Sequence, residues 1–264
     1  MSGNVFYDIN GNAVNIGGGY DVEQHDRRLK ELEIYDPFTW NTFDKSYFVF
    51  VHDDSNAFIE DAYNAFNSES VPLSEATIFD RITNVVGNKT IREWLELISQ
   101  NGEVLMHYNY DLLETTPDDI WYEQVVTPKI ELENMGFDIN GLILANSSDH
   151  NSQKGESFCR KYYTYADKVG TSLRYNLGRV LMSTFNNLNG FKSEIDTKAN
   201  INGLHAYGFH GSIREDESWI TYSNLVNIIR YIKQKPNTVI TTYNYVFNTV
   251  GISTQNKRLD ALES

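Results

Sequence analysis

The chain reads as an α/β fold, a distorted (β/α) barrel, on three observations. Apolar strand-like runs alternate with amphipathic helical stretches across residues 41–250, the pattern of a parallel sheet with helical crossovers. The first run, Tyr47-Phe48-Val49-Phe50-Val51, is continuously apolar, as expected of a strand buried on both faces. Aspartates and histidines follow directly after several of the runs, at the strand ends where a barrel places its chemistry.

Each element has its own signal. Residues 56–67 put Phe58, Ala62, Tyr63 and Phe66 on one helical face, and Ala76–Phe79 reads as a short strand. Thr90 with Glu93 three residues on forms a capping box ahead of the stripe Ile91, Trp94, Leu95 and Ile98. Glu103–Met106 and Gly141–Ala145 read as strands, with a helical stretch from Asp118 to Met135 between them that Pro128 should kink. Ser172–Tyr175 and Arg179–Ser183 are weaker strand candidates. Leu204–Phe209 is a strand, Thr221–Gln234 an amphipathic helix, and Thr238–Thr242 the last strand.

The 264 residues suffice for one large domain with a substantial core, and a hydrophobic content of 41% excludes a disordered chain. The net charge of −14 argues against nucleic acid and anionic membrane surfaces as partners. The 17 tyrosines and 14 phenylalanines suit sugar faces, though core filling is their commoner use. With one cysteine, Cys159, no internal disulfide forms. The opening Met1-Ser2-Gly3-Asn4 is not that of a signal peptide. No apolar run approaches the roughly 18 residues of a spanning helix.

The two ends differ from the middle. In residues 1–40, Asn10-Gly11 is a hairpin-type turn signal, Gly17-Gly18-Gly19 is a break, and Val22, Leu29 and Leu32 fall at heptad positions. In residues 251–264, Ile252, Leu259 and Leu262 repeat that spacing. The expectation is three parts: a connector over 1–40, a barrel over 41–250 and a second connector over 251–264. The connectors either string the barrel along a fibrous, trimeric assembly or pack on their own domain as surface helices.

The strand ends carry the candidate chemistry. Run 47–51 ends in His52-Asp53-Asp54. Run 103–106 ends in His107, followed by Tyr108 and, four residues after the histidine, Asp111. Run 141–145 leads into Asn146-Ser147-Ser148-Asp149-His150, and run 204–209 ends in His210-Gly211. Neutral imidazoles and carboxylates are ligands for zinc or a similar divalent ion. A second carboxylate can act as general base and an opposed histidine as general acid, which together make a metal-assisted amide or ester hydrolase. Each residue also has an ordinary structural use. Adjacent aspartates after a strand cap helices, and a lone histidine is more often hydrogen-bonded structure than ligand. His52, His150 and His205 read as structural or surface residues.

The order of these segments over residues 45–250 resembles the polysaccharide deacetylases, the family 4 carbohydrate esterases with a NodB-type domain. Val51-His52-Asp53-Asp54 stands where that family has Thr-Phe-Asp-Asp, Asn101-Gly102-Glu103-Val104 leads into His107, and Gly208-Phe209-His210 stands at the Leu-x-His position. The resemblance implies Asp53 as base, Asp54, His107 and Asp111 as metal ligands, and His210 as acid. Asp111 replaces the family's second histidine, and Tyr108 and Asp149 are assigned to substrate binding. Two features are missing from their places. Asn146-Ser147-Ser148-Asp149 stands where the family's Arg-Pro-Pro-Tyr belongs, so the arginine that pairs with the base is expected to be absent. No counterpart of the Asp-x-x-Asp-Trp motif is found.

The stretches Tyr162–Ala166 and Ile195-Asp196 look like the divergent members encoded by Gram-positive bacteria and their phages. The resemblance therefore implies a tail-fibre or baseplate module, in the virion or released by lysis. It would engage acetylated cell-wall polysaccharide of a Gram-positive host and associate with other tail proteins. Two further readings stand beside it: a degenerate deacetylase fold kept for carbohydrate binding or structure, and a glycoside hydrolase using Glu103 and Glu194 as paired acids.

Overall fold

A computed structural model of the chain describes residues 6–7, 13–14, 43–108, 115–144, 153–169 and 174–250. The chain divides into two compact units, Met1–Asp36 and Pro37–Ser264. In the first, β1 (Phe6–Tyr7) and β2 (Ala13–Val14) pair antiparallel. The Asn10-Gly11 turn between them, the glycine run and both heptad segments lie outside the described residues.

The second unit opens with β3 (Ser46–Asp53), which is buried along its whole length. α1 (Ile59–Ser68), β4 (Ser74–Thr77) and the hairpin β5 (Val85–Val86)–β6 (Lys89–Thr90) follow. α2 (Ile91–Ile98) begins at the expected capping box: Thr90 Oγ1 accepts from Glu93 N at 3.2 Å, and Thr90 N donates to Glu93 Oε2 at 2.7 Å. β7 (Glu103–Tyr108) leads to α3 (Asp118–Trp121), a π-helical turn over Tyr122–Val126, and α4 (Thr127–Asn134). Pro128, where the sequence suggests a kink, stands in the first turn of α4, after that wider turn, where a proline is tolerated because the N–H it lacks has no partner within the helix.

Then come β8 (Gly141–Leu144), α5 (Gln153–Cys159), β9 (Tyr165–Asp167), β10 (Val180–Leu181), α6 (Leu188–Lys198) and β11 (Gly203–Phe209). The chain closes with α7 (Tyr222–Lys233), β12 (Thr238–Thr241), α8 (Tyr243–Tyr245) and a second π-helical turn over Val246–Val250. Of the weaker strand candidates, Arg179–Ser183 shrinks to the two residues of β10. Arg174 and Tyr175 form a turn whose carbonyls accept from Ala166 N and Val169 N.

The sheet is parallel throughout in the order β10-β11-β3-β4-β7-β8-β9. β11 pairs with one edge of β3 from Ser46 to His52. The other edge is shared: β12 takes Ser46–Val49 and β4 takes Val51–Asp53. The sheet therefore splits at β3 and curls into a half-barrel, the distorted barrel expected from the sequence.

Alternation along the strands sorts side chains into two clusters. Phe48, Phe50, Val104, Met106, Tyr207 and Phe209 face the helices, while Val49, Val51, Leu105, Leu204, Ala206 and Tyr165 face the inside of the curl. Phe48 and Phe50 are at most 1% exposed, and each such burial stabilises by about 1.5–3 kcal/mol. No described helix is long and apolar enough to cross a membrane.

Candidate active site

The same alternation aims the chemistry. Val49 and Val51 point inward, so Asp53 does too, while His52 turns toward the helices. On β7, Leu105 and therefore His107 point inward. On β9, Tyr165 and Asp167 do. On β11, Leu204, Ala206 and Gly208 do. Asp53, His107 and Asp167 thus converge from three strands at their C-terminal ends, and His210 follows β11 directly.

Arg179, immediately before β10, sits between two of these carboxylates. Its Nη1 donates to Asp53 Oδ2 and its Nε to Asp167 Oδ2 at 3.2 Å. The guanidinium lies over Gly208, where a Cβ would collide with it; the glycine makes the approach to Asp53 possible. The expectation that Asp53 lacks an arginine is overturned. The partner comes from the β10 edge rather than from the segment after β8.

Asp54 lies one residue further out. His107 Nε2 is 3.5 Å from Asp54 Oδ1, and Arg214 Nη2 donates to Asp54 Oδ2 at 3.0 Å. His210 Nε2 stands 3.8 Å from Asp54 Oδ2 and 4.0 Å from Asp53 Oδ2. On its other side, His210 Nδ1 meets Glu217 Oε1 at 3.0 Å, and Glu217 Oε2 accepts the backbone N–H groups of His210 and Gly211. Glu217 is fully buried and fixes which ring nitrogen of His210 faces the two aspartates.

The electrostatics follow from these contacts. Burial works to raise the pKa of Asp53, but Arg179 and the imidazoles of His107 and His210 beside it together outweigh burial and hold the carboxyl below its usual value. Burial raises that of Asp167, with Arg179 opposing. Burial also pushes the His107 imidazole down to about 4 against the pull of Asp53 and Asp54, so it is neutral at ordinary pH. Asp53 Oδ1 and His107 Nδ1 are buried without a hydrogen-bond partner among the described residues.

The structure thus brings together Asp53, Asp54, His107 and His210. Tyr108, the last residue of β7, is half-buried and donates through its hydroxyl to Gln124 Oε1 at 3.0 Å. Asp111, Asp149 and His150 lie outside the described residues. His52 and His205 are buried and bonded, to Glu75 and to the Ile201 carbonyl. Glu103 starts β7, at the strand end opposite the site. There it accepts from Ser74 Oγ, Tyr165 Oη and the N–H groups of Tyr243 and Asn244. Glu194 lies on α6, accepting from Tyr207 Oη. A paired-acid site from Glu103 and Glu194 finds no support in this arrangement.

Three residues of the network were not singled out in the sequence. Arg179 had a faint signal, a lone cation in the apolar stretch Leu177–Met182. Asp167 ends a three-residue strand with no signal of its own, and Glu217 hides in the charged run Arg214-Glu215-Asp216-Glu217.

A divalent ion is implied by the sequence resemblance, and the donor set fits it in part. Asp54 Oδ1 and the neutral His107 Nε2 face one another as two donors. No group of three His, Cys, Asp or Glu side chains among the described residues is placed to hold a metal, where a hydrolytic zinc site uses three.

Comparison with solved structures identifies the architecture. A variant of the peptidoglycan deacetylase PdaC from Bacillus subtilis superposes with a TM-score of 0.58 at 13% identity, covering 84% of this chain and 98% of that one. The peptidoglycan N-acetylglucosamine deacetylase Bc1960 gives 0.57 at 12% identity, over 78% and 90%. The fold is that of the family 4 carbohydrate esterases. The same fold also includes a pseudoenzyme from Bacillus anthracis, which matches at 0.52 and 10% identity over 77% of this chain and 66% of that one. A mutant of that protein has restored enzymatic activity. No protein-family model matches the sequence, and no curated protein matches it.

Proposed function

We propose that this chain is a deacetylase-like hydrolase that removes acetyl groups from a cell-wall polysaccharide. The observation that carries the reading is the pairing of Asp53 with His210. Asp53 is paired with Arg179 and has one oxygen without a partner among the described residues, while His210 is oriented by Glu217 and presents Nε2 4.0 Å from Asp53. Asp53 would take a proton from the attacking water, whose oxygen bonds to the acetyl carbon. His210 would give a proton to the sugar nitrogen or oxygen as its bond to that carbon breaks, releasing acetate. Asp54 and His107, with Asp111 as third donor, would hold a divalent ion such as zinc, which when bound polarises the carbonyl and acidifies water.

The heptad echoes at both ends support placing the module in a homotrimeric phage tail fibre or baseplate, acting on a Gram-positive wall beside other tail proteins. In that setting the protein is part of the virion.

A second reading, a glycan-binding module without catalysis, is favoured by one contact: Arg214 already engages Asp54 Oδ2. Metal analysis of the purified protein beside the Asp54→Ala, His107→Ala double variant, with acetate release from acetylated wall glycan, separates the two. About one ion per chain, lost in the variant, with acetate released by the wild type, is the expected result. Glycan binding with neither metal nor acetate would replace the first reading by the second.

A further inference from the structure

The segment between Asp53 and α1 is held in an unfavourable shape by contacts that the proposed chemistry does not use. Asp54 and Ser55 are consecutive non-glycine residues at φ +77° and +43°. The left-handed region is disfavoured for an L-residue, and such strain persists only where the surroundings over-determine it. Here they do. Asp54 N donates to the Ala76 carbonyl at 3.1 Å, Arg81 Nη1 donates to the Asp54 carbonyl at 2.7 Å, and Ser55 Oγ donates to Glu75 Oε1 at 3.0 Å.

Asn56 is the centre of this arrangement. Its Nδ2 donates to two carbonyls at 3.1 Å each, those of Asp53 and His210, 154 positions apart in the case of His210. Its Oδ1 accepts from Phe58 N at 2.8 Å and faces His52 Nε2 at 3.2 Å. The donors and acceptors around it fix the amide orientation: an N–H lies at one end and two carbonyls at the other. The same pattern requires His52 Nε2 to carry a proton. His52 in turn is anchored through Nδ1 to Glu75 Oε2 at 2.7 Å, both side chains being fully buried. On the far side Gly211, at φ +85°, lies so close to the Phe58 ring that a Cβ would overlap it.

We infer that Asn56 is a positioning residue that clamps the strand end bearing Asp53 and Asp54 to the turn bearing His210, with the buried His52–Glu75 pair setting its orientation. This rests on the hydrolase reading of the site only for its consequence in catalysis; the clamp itself is a matter of geometry. A base and an acid carried on two different strand ends need their spacing fixed, because effective proton transfer depends on it. Asn56 is the one described side chain that bonds to the backbone of both.

Two variants test it in the full-length protein. Asn56→Asp keeps the acceptor for Phe58 N and His52 but loses both donated bonds. His52→Phe keeps a ring in the space and loses the Nε2 donor. The first measurement is solvent exchange of the Asn56 side-chain amide protons by NMR, with the exposed Asn84 amide as reference. Wild-type exchange slower than that of Asn84 by about tenfold, the equivalent of one net hydrogen bond, and accelerated by a similar factor in His52→Phe, is the expected result. Wild-type exchange as fast as that of Asn84 would overturn the clamp, and equal rates in wild type and His52→Phe would overturn the orienting role of His52. The second measurement is acetate release. Asn56→Asp should lower kcat by about tenfold or more while KM changes by less than about twofold, the pattern of a lost transition-state arrangement rather than lost binding. Wild-type kcat in Asn56→Asp would overturn the positioning role. A wild-type protein that releases no acetate would sink the hydrolase reading alone, and the exchange rates would still decide the clamp.

Discussion

Arg179 and Asp53, 126 positions apart in the chain, form a buried ion pair in which neither side chain is more than 3% exposed. Asp167 shares the same guanidinium. One arginine therefore balances two buried carboxylates, and the geometry sets a contrast with the other arginine of the site. Arg214 on Asp54 is 46% exposed. Replacing Arg179 by Ala strands two charges away from water and should cost about 3–5 kcal/mol of folding stability. Replacing Arg214 by Ala should cost less than about 1 kcal/mol. Urea unfolding of the two variants beside the wild type measures both. Equal losses would mean that the Arg179 pair is solvated in solution.

Gly208 gives a sharper test of the same contact. A methyl group there runs into the Arg179 guanidinium and lies close to Asp53 Oδ2. Gly208→Ala should destabilise by about 1–3 kcal/mol, the usual cost of overpacking. Because it acts by displacing Arg179, the double variant with Arg179→Ala should lose less than the sum of the two single losses. Additive losses would show that the methyl group is accommodated without moving the arginine.

The legibility of this protein divides by range. The elements legible in the sequence are local: the Thr90–Glu93 capping box, the continuous run of β3 and the α7 stripe all have causes within a few residues. Strand parity, once β3, β7 and β11 were placed, aims Asp53 and His107 inward. The family resemblance places the arginine that pairs with Asp53 directly after β8, where Asn146-Ser147-Ser148-Asp149 stands, so that no such partner is expected; Arg179 fills the role. It arrives from the β10 edge instead, and two residues of strand offer no periodicity to detect. β9 is three residues long, and the π-helical turn before Pro128 has no sequence period of its own. Glu217 lies within four consecutive charged residues that read as a solvated run. Only the fold shows that its carboxylate is buried against His210.

Glu103 separates structural from chemical carboxylates. It is 7% exposed and accepts four hydrogen bonds, two of them from the N–H groups of Tyr243 and Asn244 at the start of α8. Burial raises its pKa against those donors. Glu103→Gln replaces one acceptor oxygen by a donor facing other donors and should cost about 1–3 kcal/mol, read as a shifted thermal midpoint. Glycan binding and any acetate release at 25 °C should be unchanged, since the residue lies at the opposite end of the strands from Asp53. Loss of either function in a folded Glu103→Gln protein would revive the paired-acid reading.

His107 makes the pH dependence of stability a probe of the site. Burial lowers its pKa from 6.5 to about 4 in the folded chain, so between those values the unfolded chain binds more protons. Stability then rises with pH across the window. The contribution is fully present above pH 6.5 and is lost as pH falls toward 4, with a limiting slope of about 1.4 kcal/mol per pH unit for one proton. Buried Glu75, Glu103 and Asp167, whose pKa values are raised, act in the opposite sense, so the informative quantity is the difference between wild type and His107→Gln. Unfolding free energies should be measured from pH 4 to 7 on chelator-treated protein, because a bound ion would compete with the proton. The wild type should lose stability relative to the variant as the medium is acidified. A flat difference would mean that folded His107 is as easily protonated as an exposed histidine. It would then not be the neutral donor that a ligand beside Asp54 must be.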